Sequence, residues 1–233
     1  MKLIFKLPLF SLLPERCAFC GKVIEAGSLM CKSCRESVSR IENEICKNCG
    51  REKAFCSCKK AANYYNGIAA PFYFEGVVRS GIHRFKFRKS PQNAGAYSVE
   101  MASAVKQRFS GVSFDFITEI PMTKKSLKKR GYNQGSLLAK GISEKLGIEH
   151  RENFLVKLYE TKNQHGLNYA NRKGNLTGVY DVASPEDAEG KTILLCDDIS
   201  TTGETFNEAA KMLWLYGAKE VYCIAVALTK RKK

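Results

Sequence analysis

In the stretch ILLCDDISTTGET, residues 193 to 205, a run of apolar side chains ends on two adjacent carboxylates, Asp197 and Asp198, and continues into hydroxyls and a glycine. The hydroxyls of Ser200, Thr201, Thr202 and Thr205, together with free backbone N–H groups at a helix start, can hold a phosphate. Gly203 lets the anion come close to the backbone. Two acids beside a phosphate repel it unless they serve another part of the same ligand. Vicinal sugar hydroxyls, or a Mg²⁺ between carboxylate and diphosphate, would fill that role. The stretch therefore suits a sugar 5-phosphate better than inorganic phosphate. Walker-A and Rossmann glycine spacings are absent, which counts against nucleoside triphosphates and dinucleotides. The competing reading is a polar turn that only caps a helix.

A second chemistry sits at the other end of the chain. Eight of ten cysteines fall within residues 17 to 58, as CAFC, CKSC, CKNC and CSC. Cys17, Cys20, Cys31 and Cys34 supply four thiolates, and Cys46, Cys49, Cys56 and Cys58 supply four more. Tetrahedral zinc takes four soft ligands, and four thiolates leave no open position for water, so the expectation is one or two structural zinc sites. Sequential and interleaved pairing are both compatible with the spacing, and a disulfide framework is the alternative. Glycine follows CAFC and CKNC, where such turns need positive φ.

The chain has 233 residues, enough for one sizeable domain with a small appendage. Its 38 Lys plus Arg against 23 Asp plus Glu give a formal charge of +15, which favours anionic partners. With two four-thiolate zinc sites filled, the balance falls to about +11. The N-terminal LIFKLPLFSLL is broken by Lys6 and Pro8 and is too short to span a bilayer, so no membrane span and a cytoplasmic location are expected. Thiols stay reduced there, which favours metal ligation over disulfides.

These residues need a scaffold. PFYFEGVV, FDFITEI, KTILLC and EVYCIAVAL read as strands, the last three as runs buried on both faces of a parallel sheet. Helix patterns run from Ala94 to Phe109, from Gly131 to Leu146 before Gly147, and from Thr205 to Tyr216 before Gly217. Residues 148 to 180 fit neither period. Strands alternating with helices indicate βαβ units, and the acidic stretch falls at the carboxyl end of a strand, where such sheets place ligands. The expected division is a cysteine-rich module over residues 1–60 and an α/β domain over 61–233. Arg79, Arg84, Lys86, Arg88 and Lys89 surround Phe85 and Phe87. They could track a nucleic-acid backbone, or the rings are core and the cations surface. Cys196 and Cys223 read as small core hydrophobes.

LLCDDISTTGET resembles the phosphoribosyl pyrophosphate (PRPP) motif of type I phosphoribosyltransferases. The resemblance implies that Asp197 and Asp198 contact the ribose 2- and 3-hydroxyls, while Ser200, Thr201, Thr202, Gly203, Glu204 and Thr205 grip the 5-phosphate. More narrowly, LPERCAFC, RFKF, IPM, RGYNQ and TKNQHGLNYANRKGN resemble the ComF/GntX family over residues 13 to 228. Its members carry a zinc segment ahead of a phosphoribosyltransferase-like domain and are associated with DNA uptake in natural competence. One departure is the C-x-C at Cys56 and Cys58, where C-x-x-C is usual.

That resemblance implies a type I phosphoribosyltransferase-like parallel sheet flanked by helices, behind a double zinc-ribbon-like module. IPMTKK resembles the pyrophosphate loop, with Thr123 and Lys124 acting there and Arg130 close by. Lys125, Lys128 and Lys129 read as a solvated basic helix start. Gln164 and His165 fall in what resembles a mobile hood. The implied activity is Mg²⁺-dependent transfer of ribosyl 5-phosphate from PRPP, or a related sugar phosphate, to an unidentified acceptor. The alternative is a non-catalytic adaptor that binds single-stranded DNA. A helicase-type protein of the uptake machinery is the protein partner expected for the cysteine-rich front.

Overall fold

The structure, a computed structural model, describes residues 14–56, 58, 63–158 and 179–230. The N-terminal apolar run, the connector carrying Gln164 and His165, and the last three residues of the basic tail lie outside the described residues. Among the described residues no helix is long and apolar enough to cross a membrane.

The two long apolar runs form the centre of a parallel sheet. Strand β7, Thr192–Ser200, pairs along its length with β8, Glu220–Leu228. On the other side of β7 lies β3, Phe116–Glu119, and beyond it the short β4, Glu149–His150. On the far side of β8 the chain lays down β1, Gly67–Ala69, and β2, Phe72–Tyr73, interrupted by Pro71. Both faces of the centre are buried, so successive side chains feed two cores. Leu194, Cys196, Ile224 and Val226 face one, and Ile193, Leu195, Cys223 and Ala225 the other.

Helices α2 (Gly76–Phe87), α3 (Asn93–Arg108) and α5 (Gln134–Leu146) contribute to the first core. Ala94, Tyr97, Met101 and Val105 of α3, at helical spacing, are its buried stripe. Helix α6, Glu204–Leu215, covers the opposite face with Phe206, Ala209, Ala210 and Leu213. A two-stranded antiparallel ribbon, β5 (Leu155–Lys157) with β6 (Tyr180–Val182), stands apart from the main sheet. Cys196 and Cys223 are fully buried, as expected of small core residues.

Three boundaries differ from the sequence expectation. The strand expected at PFYFEGVV is only Phe72–Tyr73, because Gly76 at φ +50° turns the chain into α2, whose apolar side is Val78, Ile82 and Phe85. The strand expected to end at Cys196 continues to Ser200, since β8 offers paired backbone as far as Leu228. The helix expected from Gly131 begins three residues later, at Gln134. A separate short α4, Lys124–Arg130, closes on Gly131 at φ +83°, and α5 starts after Asn133, whose side chain accepts the Gly135 N–H at 3.0 Å.

The cysteine-rich front, which carries the short helix α1, Lys32–Ser37, is docked on this body. Phe19, inside the CAFC knuckle, is fully buried and meets Phe72 and Tyr97 edge-on at 5.4 and 5.5 Å between ring centroids. The Tyr97 hydroxyl and the Asn93 amide both donate to the Ala18 carbonyl, at 2.9 and 3.2 Å. Gly81 of α2 makes this approach feasible. A Cβ there would lie 2.6 Å from the Tyr97 oxygen, 2.8 Å from the Ala18 carbonyl oxygen and 2.9 Å from the Phe19 Cα. Gly81→Ala is therefore expected to destabilise the protein by about 1–3 kcal/mol. Gly95→Ala, in open space on α3, should be neutral or stabilising by up to about 1 kcal/mol. Urea denaturation of both variants checks this, and equal effects would show that α2 and the knuckle are not in tight contact.

Candidate functional site

The cysteines fall into two clusters in chain order, which decides between sequential and interleaved pairing. The sulfurs of Cys17, Cys20, Cys31 and Cys34 lie within 4.8 Å of one another, and so do those of Cys46, Cys49, Cys56 and Cys58. Zinc with four thiolates at about 2.3 Å sets its sulfurs roughly 3.8 Å apart. Cys20 and Cys31 are at 3.6 Å and Cys46 and Cys58 at 4.0 Å, much farther than a disulfide bond and right for a shared metal. All ten thiols are free. The C-x-C of Cys56 and Cys58 closes its cluster as the C-x-x-C pairs do.

At the carboxyl end of the sheet, Asp197 and Asp198 stand on β7 itself rather than in the turn after it. Strand alternation gives them different surroundings. Asp198 is 6% exposed and its carboxylate meets the Lys86 ammonium at 2.8 Å. The Asp197 carboxylate accepts the Asp198 backbone N–H at 2.7 Å. Burial pushes the Asp197 carboxyl from its ordinary 3.8 up to about 7, and the Asp198 charge adds to this. Lys86, the Asp198 N–H and Arg130 pull the other way.

Both acids line a cavity of about 250 Å³ closed by Ile120, Pro121 and Met122 after β3, by Arg130, by Asn133 to Gly135 at the start of α5, and by Lys157, Tyr180 and Thr205. Gln134 is 1% exposed, and its Oε1 accepts from Arg130 Nη1 at 2.9 Å while its Nε2 has no partner. An unpaired buried amide costs about 1–3 kcal/mol, so this donor, set in the wall of a polar cavity, points to a ligand. RGYNQ contains Gln134, but spacing alone did not mark it as a site residue.

The hydroxyl-rich stretch divides. Ser200 is buried at the end of β7, Thr201 and Thr202 are exposed, and Gly203 at φ +85° precedes α6, whose Glu204 N–H donates to the Thr202 hydroxyl at 3.4 Å. Glu204 and Thr205 form the first exposed residues of α6, with Thr205 at the cavity. Beyond β3, Thr123 caps α4. Its hydroxyl accepts from the Ser126 N–H at 3.1 Å and donates to the Ser126 hydroxyl at 3.0 Å. Lys124 is exposed and lines no cavity described here, and Lys125, Lys128 and Lys129 are exposed as expected. Arg130 is the member of that segment in the cavity wall.

Two residues tie the zinc clusters to this site: Arg51, which sequence reasoning did not single out, and Lys86, read there only as one of the cations around Phe85 and Phe87. Lys86 lies on α2, the helix docked on the first knuckle. From the second cluster, Arg51 is 2% exposed, and it donates to the carbonyls of Thr229 at 2.7 Å, Cys49 at 3.3 Å and Thr201. It therefore fixes the backbone that leads into Gly203. The neighbouring Gly50 backs onto β1 so closely that a Cβ would lie 2.4 Å from the Ile68 carbonyl oxygen.

A family model described as a double zinc ribbon domain matches residues 9–64, and a phosphoribosyl transferase domain matches residues 132–233. Competence protein F of Haemophilus influenzae is 26% identical over 216 residues, covering 88% of this chain and 93% of the relative. DNA utilization protein YhgH of Escherichia coli is 25% identical over 226 residues, covering 92% and 98%. Among solved structures, a glutamine PRPP amidotransferase from Bacillus subtilis aligns with a TM-score of 0.40 at 23% identity. That alignment covers 63% of this chain and 27% of the enzyme, so the chain spans about a quarter of its length. Fold, cysteine clusters and domain matches define a zinc-ribbon protein with a phosphoribosyltransferase domain. Over most of its length the chain is similar to proteins named for competence and DNA utilization, and it carries the two domains in the order zinc ribbon, then phosphoribosyl transferase.

The charge environment makes a pH prediction. An acid whose folded pKa is raised binds its proton more tightly folded than unfolded, so its contribution to stability is complete below about pH 4 and is lost as pH rises through about 7. Relative to Asp197→Asn, the protein is expected to lose stability across that window by an amount on the order of a few kcal/mol. Lys86→Met should raise the Asp197 pKa further. Denaturation midpoints against pH, with the carboxyl titration followed by NMR, check both, and parallel pH profiles would contradict them. Two equivalents of zinc per chain are expected by elemental analysis, and their chelation should lower the thermal midpoint by several degrees or more.

Proposed function

We propose that the chain binds PRPP in the carboxylate cavity and transfers its ribosyl 5-phosphate to an acceptor. One observation carries the reading: two strand-borne carboxylates and one unpaired buried amide converge on one cavity, which Thr205 at the start of α6 also lines. In this reading Asp197 and Asp198 accept hydrogen bonds from the ribose 2- and 3-hydroxyls. Thr201, Thr202, Gly203, Glu204 and Thr205 surround the 5-phosphate with N–H and hydroxyl donors, and buried Ser200 sets where the loop leaves the sheet.

In the reaction the bond from C1 to the diphosphate oxygen breaks and the diphosphate departs with the electron pair. A lone pair of the acceptor forms the new bond to C1, and the acceptor's proton passes to solvent. The charge that develops on the diphosphate is the main thing a protein can stabilise here. Lys86, Arg130 and Lys157 are the cations in the cavity wall able to do so. In this reading Thr123 and Lys124, which follow the Ile120 to Met122 wall at the start of α4, meet the diphosphate from the β3 side. Asp197 and Asp198 would hold Mg²⁺, which would supply further neutralisation of the developing charge.

The charge of +15 also supports single-stranded DNA as a partner of a non-catalytic adaptor, and the double zinc ribbon gives a second surface for a helicase-type protein. Calorimetry separates the readings. Mg²⁺ with PRPP should bind saturably, and Asp197→Asn with Asp198→Asn should abolish binding while circular dichroism stays native. Unchanged PRPP binding in that double variant would remove this cavity from consideration. DNA affinity falling by about 0.7 per phosphate contact on a log–log salt plot would support the adaptor.

A further inference from the structure

Beside the carboxylate cavity, and sharing Lys86, Arg130 and Ile199 with it, lies a larger pocket of about 580 Å³. It is formed by the outer side of α2 with Phe74, and its charge is one-sided. Arg79, Arg84, Lys86, Arg88 and Arg130 line it, with His83, and no carboxylate does. Among the described residues only Lys86 of this group is in an ion pair, with Asp198. The Arg84 guanidinium even holds a buried Nη2 with no hydrogen-bond partner. Gathering that many uncompensated cations costs repulsion, and the arrangement makes physical sense when an anion occupies the pocket.

The pocket also has a flat apolar wall, at a position where the sequence reading put the phenylalanines in the core. Phe85 is fully buried, but Phe87 is 50% exposed. The His83 ring lies against Phe87 at 4.8 Å between centroids, and the Arg130 guanidinium sits 5.2 Å over the same ring. Exposed Phe costs apolar hydration, and a planar ligand that covers it recovers that cost while stacking on the ring. Cations for a phosphate and a ring for a base thus face one space.

We infer that this pocket binds a nucleoside monophosphate moiety, its phosphate among Arg79, Arg84 and Arg88 and its base against Phe87, as a second ligand next to the sugar phosphate. The moiety is either a free nucleotide or the 5′-phosphorylated end of a strand, since both present the same chemistry. Its role as the acceptor rests on the proposed function. Its binding does not.

Titration calorimetry of the full zinc-loaded chain with AMP, with adenosine, and with short oligodeoxynucleotides bearing either a 5′-phosphate or a 5′-hydroxyl tests the inference. AMP should bind at least about tenfold more tightly than adenosine. Arg79→Gln with Arg88→Gln, both exposed and away from the zinc knuckles, should weaken AMP by roughly tenfold or more while zinc content stays at two. Phe87→Ala should weaken AMP and leave inorganic phosphate unchanged. AMP should still bind to Asp197→Asn with Asp198→Asn, which separates failure of this pocket from failure of the PRPP site. Preference for the 5′-phosphorylated oligonucleotide over both AMP and the 5′-hydroxyl form assigns the strand end, and preference for AMP assigns the free nucleotide. Equal AMP and adenosine affinities, no effect of the double arginine variant, or equal binding of the two oligonucleotides at higher affinity than AMP would overturn the inference, the last by showing a strand-tracking surface.

Discussion

The contact between Lys86 and Asp198 is the constraint around which the rest is arranged. Two adjacent carboxylates at the end of a buried parallel strand are electrostatically unfavourable, and one of them is nearly inaccessible to water. The fold answers with a cation from another element, held at 2.8 Å. Asp198 is thereby matched within the protein, while Asp197 retains the unfavourable charge and a raised pKa. The arrangement leaves one carboxyl with a raised pKa and one paired with a cation, both at the wall of the same cavity.

Holding Lys86 there requires α2 to be fixed, and α2 is fixed by the first zinc knuckle. Phe19 fills the space between Phe72 and Tyr97, Gly81 admits the knuckle backbone, and Ala18 takes two hydrogen bonds from α3. The second knuckle reaches the site from the other side through Arg51, which holds the backbone at Thr201 and Thr229. Structural zinc is therefore coupled to the site by packing and hydrogen bonds rather than by chemistry at the metal. A closed four-thiolate site can do no catalysis of its own, yet it can determine where an ammonium and a loop stand.

Charge is sorted across the carboxyl end of the sheet. The acids sit in the smaller cavity with Lys86, Arg130 and Lys157, and the larger pocket next to it is wholly cationic. Arg130 belongs to both walls, braced by Gln134 on one side and Phe87 on the other. A net charge of +15 is thus partly a local property of α2 and its surroundings.

Much of this was legible in the sequence. Two long apolar runs read as central strands of a parallel sheet, the cysteine spacing favoured shared soft metals over disulfides, and the acids followed by hydroxyls and glycine suggested a ligand turn over a simple helix cap. The misplacements have a local cause. Gly76 and Gly131 act through their positive φ, which no hydrophobic period reveals, and β7 runs on past Cys196 because β8 lies beside it. Residue type and spacing, being set by covalent order, fixed which chemistry was available and on which strand it begins. Only tertiary structure decided which partners meet it: Lys86 on Asp198 lies 112 positions away in the chain, Arg51 on Thr201 lies 150 away, and the free amide of Gln134 is defined by what surrounds it. Such pairings are enforced by packing of separate elements, and no local pattern in a single chain encodes them.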